Sequence, residues 1–256
     1  LRWIQSASDG VDQLLFPGLA ERGVVVTNAR GIFDDAIAEW VIGAILAMAT
    51  GLAGSIVAQH ERRWTHDRRT ERLAGRRLLA VGPGPLGRAA ARRGHDLGMT
   101  VSAVGRAPRA DDLFDRIGGP EDFHAMLGEA DVVLDVLPLT AETRHRFDAA
   151  AFAAMRPTAR FVNVGRGGTV DEAALIDALR RGAIGGAALD VFEEEPLPAS
   201  SPLWSFPAVI VSPHLCGDFE GWEAEVVALF VDNLGRFARG EPLRNAVDLT
   251  LGFGVA

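Results

Sequence analysis

Short apolar runs punctuate this chain at Gly23–Thr27, Leu78–Val81, Thr100–Val104, Val132–Val136, Arg160–Val164, Gly186–Leu189 and Val209–Val211. Between most of them lie amphipathic stretches with helical spacing, at Gly87–Gly98, Glu121–Gly128, Asp148–Met155 and Asp171–Gly182. A strand that is apolar throughout must be buried on both faces, and helices that return the chain across a sheet provide that cover. The alternation therefore predicts an α/β fold, a doubly wound parallel sheet with helices on both sides. One helix is marked at both ends. Asp171 precedes the spaced Ala173, Leu175, Ile176 and Leu179, and Arg180 and Arg181 precede Gly182, in keeping with capping and with the helix dipole.

Composition narrows the function. The 256 residues carry a formal charge of −8, which repels phosphate on average and argues against a nucleic-acid surface. Any phosphate must be held by a local site. Cys216 is the single cysteine, so no internal disulfide forms, and no stretch has the order of a signal peptide. A cytoplasmic location is expected. The apolar run Ala36–Leu52 is interrupted by Glu39 and is shorter than the ~20 residues a bilayer needs, so it reads as a buried helix and no membrane association is expected. No metal site is expected either. The charged segment Gln59–Arg77, with Trp64 in it, reads as a surface lead into the later strands.

After the strand Leu78–Val81 comes Gly82-Pro83-Gly84-Pro85-Leu86-Gly87, then an Ala-rich helix. Gly-x-Gly-x-x-Gly between strand and helix permits a tight turn and brings a pyrophosphate close to a helix N-terminus. This points to a dinucleotide held by Gly82, Gly84, Leu86 and Gly87. Pro85 has no N–H, so the amides of Leu86 and Gly87 must carry the contact. A structural glycine turn is the competing reading. An NAD-binding loop places an acid at the end of the next strand, to take the ribose 2′-hydroxyl. Here that strand ends Val104-Gly105-Arg106-Ala107-Pro108-Arg109. Arg106 and Arg109 offer donors to a 2′-phosphate, which favours NADP and leaves NAD as a possibility. The alternative is a pair of solvated loop arginines.

Further on, Asn163-Val164-Gly165-Arg166-Gly167-Gly168, Asp190-Val191-Phe192-Glu193-Glu194-Glu195-Pro196 and Ser212-Pro213-His214 each place a polar residue just beyond a strand. Carboxyl ends of parallel strands share one edge, so an Arg, a carboxylate and a His converge there. That set suits reduction of a 2-oxo acid: the His supplies a proton, the acid holds the His protonated and the Arg grips the substrate oxygens.

With Gly10-Val11-Asp12, Val25-Val26-Thr27-Asn28, Ala38-Glu39, Pro138-Leu139-Thr140 and Glu195-Pro196-Leu197-Pro198 added in order, the sequence resembles the D-isomer-specific 2-hydroxyacid dehydrogenases, among them glyoxylate/hydroxypyruvate reductases. The resemblance implies Arg166 as the substrate-gripping arginine, Glu195 as the acidic partner and His214 as the acid/base. It implies Asp190 beside the nicotinamide carboxamide, with Pro138 and Val164 also against the cofactor. Glu193 and Glu194 are expected to be solvated. The loop Ser8-Asp9-Gly10 would hold the substrate carboxylate through its amides. Asp9 departs from the family's small or apolar residue, so either it turns to solvent or the substrate differs.

The resemblance also implies a second, flavodoxin-like substrate domain that is incomplete here. It would comprise residues 1–35 and 238–256, with the Rossmann domain at 36–237. Leu1-Arg2-Trp3-Ile4-Gln5 reads as a strand already under way, and family members carry further strands and helices upstream. The helix Asp35–Ala53 is apolar nearly all round, and in the family it lies at a two-fold interface, so a homodimer is expected. Two other readings stay open: a dinucleotide-sensing regulatory protein on this fold, and an inactive truncated relative.

Overall fold

The alternation in the sequence becomes one twisted parallel sheet. In the computed structural model, which describes residues 1–16, 18–19, 21–64, 66, 70–249 and 253–254, the chain opens with β1 (Trp3–Gln5), β2 (Val25–Thr27), α1 (Asp34–Thr50) and α2 (Leu52–His60). It continues through β3 (Arg77–Val81), α3 (Pro85–Asp96), β4 (Thr100–Val104), β5 (Arg116–Gly118), α4 (Phe123–Glu129), β6 (Val132–Asp135), α5 (Ala149–Ala154) and β7 (Arg160–Asn163). It ends with α6 (Glu172–Arg180), β8 (Gly186–Leu189), β9 (Val209–Val211), α7 (Trp222–Arg239), β10 (Val247–Asp248) and β11 (Phe253–Gly254). The main sheet runs β5-β4-β3-β6-β7-β8-β9, and all its neighbours are parallel. The connections diverge between β3 and β6, which opens a crevice at the carboxyl edge.

Strand side chains alternate between two cores. Leu78, Ala80, Val132, Leu134, Val162 and Ala188 pack with α1 and α3, whereas Leu79, Val81, Val133, Phe161, Ala187 and Leu189 pack with α4, α5 and α6. The second core centres on the fully buried Phe123, Phe147, Phe152 and Phe161, each stabilising by roughly 1.5–3 kcal/mol. Burial on both faces is why these strands read as unbroken apolar runs.

The structure corrects the expected helix Asp35–Ala53. It stops at Gly51, whose φ of 69° is left-handed, and α2 leaves at a bend of 68°. Among the described residues no single helix is long and apolar enough to cross a membrane. The stripe Ala38, Val41, Ala44, Ile45 and Ala49 is buried within the chain, while Leu46 and, on α2, Leu52, Ile56 and Val57 are exposed.

Strand β5 and helix α7 have no counterpart in the sequence reading, nor do α2 and the short β10 and β11. Strand β5 is three residues long, beginning with Arg and ending with Gly, and leaves no pattern. Helix α7 starts from Gly221 with no side-chain cap, so its start is unmarked.

Strands β1 and β2 form a separate parallel pair, and Val11, Leu19, Val24, Val26 and Val247 make a third, small core beside it. Buried Asn233 of α7 ties this region together: its Nδ2 donates to Gln5 Oε1 (2.9 Å) and to the Arg244 carbonyl (3.2 Å), and its Oδ1 accepts from Arg244 N (2.8 Å). Trp3 stacks on Phe230 and Phe237. The expected boundary at 238 thus falls inside the last turn of α7. Of the expected C-terminal piece, residues 250–252 and 255–256 lie outside the described residues, as do 65 and 67–69 of the charged segment.

Candidate active site

The glycine loop stands at the β3 end of the crevice. A Cβ on Gly87 would fall 2.1 Å from the Gly82 carbonyl oxygen, and one on Gly82 would fall 3.2 Å from that of Val136. Gly87 is therefore required by the chain's own packing, and Gly82 by its φ of 115°, which favours glycine. Gly84 is different. Its φ of −80° suits any residue, and a Cβ there meets nothing within 4 Å. Pro85 is the first helical residue, where a missing N–H removes no helical bond, so α3 begins earlier than its sequence pattern suggests. Open space at Gly84 thus lies just before the N-terminus of α3, whose first amides are those of Leu86 and Gly87. Gly105, at the end of β4, lies against Pro83, within 3.1 Å if it carried a Cβ. Arg106 follows it directly, and both Arg106 and Arg109 are exposed.

The loops leaving β6, β7 and β8 press together without side chains between them. A Cβ on Gly165 would lie 2.7 Å from the Leu137 carbonyl oxygen, and one on Gly167 would lie 1.9 Å from that of Phe192. Val164 is buried beside them, and the Pro138 carbonyl is fixed by the Thr143 hydroxyl at 2.6 Å. Arg166 is thereby placed next to the turn that carries Glu195. Glu195 Oε2 lies 2.7 Å from His214 Nδ1, and Oε1 accepts the Phe192 N–H at 2.9 Å. With Nδ1 engaged, Nε2 is the nitrogen left to exchange a proton. His214 has a left-handed φ of 55°. The next residues are held by buried Asp190, whose Oδ1 accepts from Leu215 N (3.0 Å) and whose Oδ2 accepts from Cys216 N (3.1 Å). Burial first and then Asp190 push the Cys216 thiol up, so it is no nucleophile.

The guanidinium of Arg166 lies across the N-terminal loop. Its Nε donates to Asp12 Oδ1 (2.9 Å), its Nη1 donates to the Gly165 carbonyl (2.8 Å), and a Cβ on Gly10 would sit only 1.2 Å from Nη2. Glycine at position 10 leaves the arginine this path, and a side chain there would push the guanidinium aside. The Ser8 hydroxyl braces the same loop by donating to the Gly10 carbonyl (2.8 Å).

Asp9 is reachable by solvent, but its carboxylate is not simply turned to bulk water. Asn28 Nδ2 donates to Asp9 Oδ1 (3.0 Å) and to its carbonyl (2.6 Å). The surrounding protein raises the Asp9 carboxyl above its ordinary range, against the pull of Arg166 and Arg30. Asp34, at the start of α1, is pushed up to about 6 by burial and by Asp9 and Asp35 beside it.

Sequence reasoning gave no role to Asp12, although it stands in the quoted Gly10-Val11-Asp12 motif. Glu193, expected to be solvated, pairs with His145 (2.5 Å) while remaining about a third exposed.

Residues 42–216 match the family described as the D-isomer specific 2-hydroxyacid dehydrogenase, NAD binding domain. The chain belongs to this family. It is 34% identical to a glyoxylate/hydroxypyruvate reductase B of Citrobacter koseri, covering 97% of this chain and 78% of that one. Among solved structures, a D-isomer specific 2-hydroxyacid dehydrogenase family protein from Aeromonas salmonicida is 40% identical with a TM-score of 0.87, covering 97% of this chain and 79% of that one. A D-isomer specific 2-hydroxyacid dehydrogenase from Xanthobacter autotrophicus, in complex with NADPH and MES, is 36% identical with a TM-score of 0.85, covering 99% and 79%. The protein is thus an oxidoreductase that binds NAD(P), and the open approach at Gly84, before a helix N-terminus, fits the pyrophosphate of such a dinucleotide.

That contrast between glycines is testable. Gly84→Ala should fold with an unchanged melting temperature yet bind dinucleotide at least about tenfold more weakly, because a methyl group enters the approach to the amides. Gly87→Ala should lower the melting temperature itself, since its Cβ meets backbone. Calorimetric melts and fluorescence titration of each variant separate the two effects, and a Gly84→Ala protein that binds normally would remove Gly84 from the site.

Proposed function

We propose that the protein is an NADP-preferring reductase that converts a small 2-oxo acid of the glyoxylate or hydroxypyruvate kind to the D-2-hydroxy acid. The observation that carries this is the Glu195–His214 pair beside Arg166 on the carboxyl edge that also bears the glycine loop. Arg166 grips the substrate oxygens, and the amides of Asp9 and Gly10 take the carboxylate, while the Ser8 amide, expected to join them, is engaged by the Ser6 hydroxyl oxygen at 3.1 Å. His214 gives the Nε2 proton to the carbonyl oxygen, and Glu195 holds the ring in place through Nδ1. The nicotinamide, when bound, supplies the hydride. Asp190, Pro138 and Val164 shape its side of the crevice.

Two features support NADP over NAD. The end of β4 carries Arg106 and Arg109 where an NAD-binding loop has an acid, and the similar Xanthobacter structure holds NADPH. The substrate class is supported by the name of the Citrobacter relative. The exposed Leu46, Leu52, Ile56 and Val57 support a homodimer through α1 and α2, and the lone Cys216 accords with a cytoplasmic enzyme.

His214→Ala is expected to lower kcat for glyoxylate by about 10²–10⁴-fold with NADPH affinity nearly intact; a variant that keeps more than about a tenth of kcat counts against the acid role. Glu195→Gln should lower kcat for glyoxylate with NADPH affinity nearly intact, because the carboxylate that orients His214 through Nδ1 is gone. An unchanged kcat would take Glu195 out of the pair. Arg106→Ala should raise the KM for NADPH about 10- to 100-fold and leave that for NADH almost unchanged. Equal use of both cofactors by the unmodified protein at low salt would end the NADP assignment. Light scattering at micromolar concentration should give a dimer, and a monomer would contradict the interface.

A further inference from the structure

Asp135 closes β6, is fully buried, and has no part in the reaction described above. Its Oδ1 accepts the Leu137 N–H at 3.0 Å, and its Oδ2 lies 2.5 Å from the Thr169 hydroxyl oxygen. The same hydroxyl lies 2.6 Å from the main-chain carbonyl oxygen of Arg166. Oxygen–oxygen contacts this short each need a hydrogen between them, because bare lone pairs at that separation repel. Thr169 has one hydroxyl proton, and a carbonyl has none. A proton on Asp135 would serve both contacts, with Asp135 donating to Thr169 while Thr169 donates to Arg166.

We propose that Asp135 is a positioning residue that works as a neutral carboxylic acid, passing a hydrogen bond through Thr169 to the backbone of Arg166 and so aiming that guanidinium. The role for Arg166 rests on the reductase reading; the protonation of Asp135 does not. The surroundings agree with a neutral acid. Its strand partners are Val81 and Asn163, and the Asn163 side chain is taken up by Gly165 N (2.9 Å) and by the Arg166 carbonyl (3.2 Å). The Arg166 charge is turned away to Asp12 and the Gly165 carbonyl. Burial outweighs the hydrogen bonds with Thr169 and Leu137, which pull the Asp135 carboxyl down, and pushes it up to about 7. A buried carboxylate without a counter-ion is costly, and keeping the proton avoids that.

The sign of the pH effect follows. An acid whose folded pKa is raised contributes stability that is complete below the unfolded value near 4 and is lost as pH rises through about 7. Above that, ionised Asp135 draws the Thr169 proton to itself, and the contact to the Arg166 carbonyl loses its hydrogen.

Asp135→Asn keeps one donor and one acceptor and does not ionise. Wild type should therefore lose thermal stability relative to Asp135→Asn as pH rises from about 4 to about 7. At about pH 6 this variant should keep the KM for glyoxylate within about twofold of wild type. Thr169→Val should raise that KM about tenfold with the NADPH Kd unchanged, and Thr169→Ser should restore it. Parallel melting profiles for wild type and Asp135→Asn would overturn the neutral acid, as would a KM in Asp135→Asn raised as far as in Thr169→Val. If Asp135→Asn does not fold, Thr169→Val decides alone, and a wild-type KM there overturns the relay. Should no 2-oxo acid be turned over, the reductase reading falls, while the melting comparison still reports the state of Asp135.

Discussion

Main chain meets main chain where the loops leave β6, β7 and β8. A Cβ on Gly165 or Gly167 would collide with a neighbouring carbonyl, so both positions exclude any side chain. Backbone contact of this kind is rigid, because no rotamer can change to relieve it. Arg166 stands between those two glycines and inherits their position. The turn from Phe192 to Glu195 is packed on the same contact, and Glu195 in turn holds His214. The polar groups of the edge are therefore located by a steric constraint and only then tuned by hydrogen bonds.

Electrostatics refine that placement without creating it. The Arg166–Asp12 pair is partly exposed, and pairs of that kind contribute only about 0–1 kcal/mol to stability. Its consequence is directional: it draws the guanidinium across Gly10 and joins the N-terminal loop to the main sheet. The chain is acidic overall, with a formal charge of −8, yet the glycine loop and its neighbours present helix amides and arginines.

The fold was legible because the sheet is covered on both faces. Strands from β3 to β9 show as apolar runs, with β5 the exception, since three residues with an Arg and a Gly carry no pattern. Helix α6 was readable from its ends, where Asp171 caps and Arg180 closes. Helix α7 was not, because Gly221 gives no start signal and its apolar residues Val227, Phe230, Val231 and Leu234 are exposed. The break at Gly51 was equally hidden, for a glycine inside an apolar helix pattern announces a break only when its φ is known.

The parallel α/β architecture and the glycine loop were readable in the sequence alone, and the family motifs pointed to Arg166, Glu195 and His214, which follow β7, β8 and β9 on the one edge where parallel strands end. The sequence also determined the family, through motifs kept in order over nearly the whole chain. Tertiary structure alone decided what surrounds those residues. Asp12 reaches Arg166 from 154 positions away, and Asp135 reaches Thr169 from 34 away. No local pattern encodes such pairs, because a hydrogen bond depends on distance and direction in space. Nor does a pattern encode protonation: Asp135 resembles any strand-end acid until burial and the single proton of Thr169 are seen together.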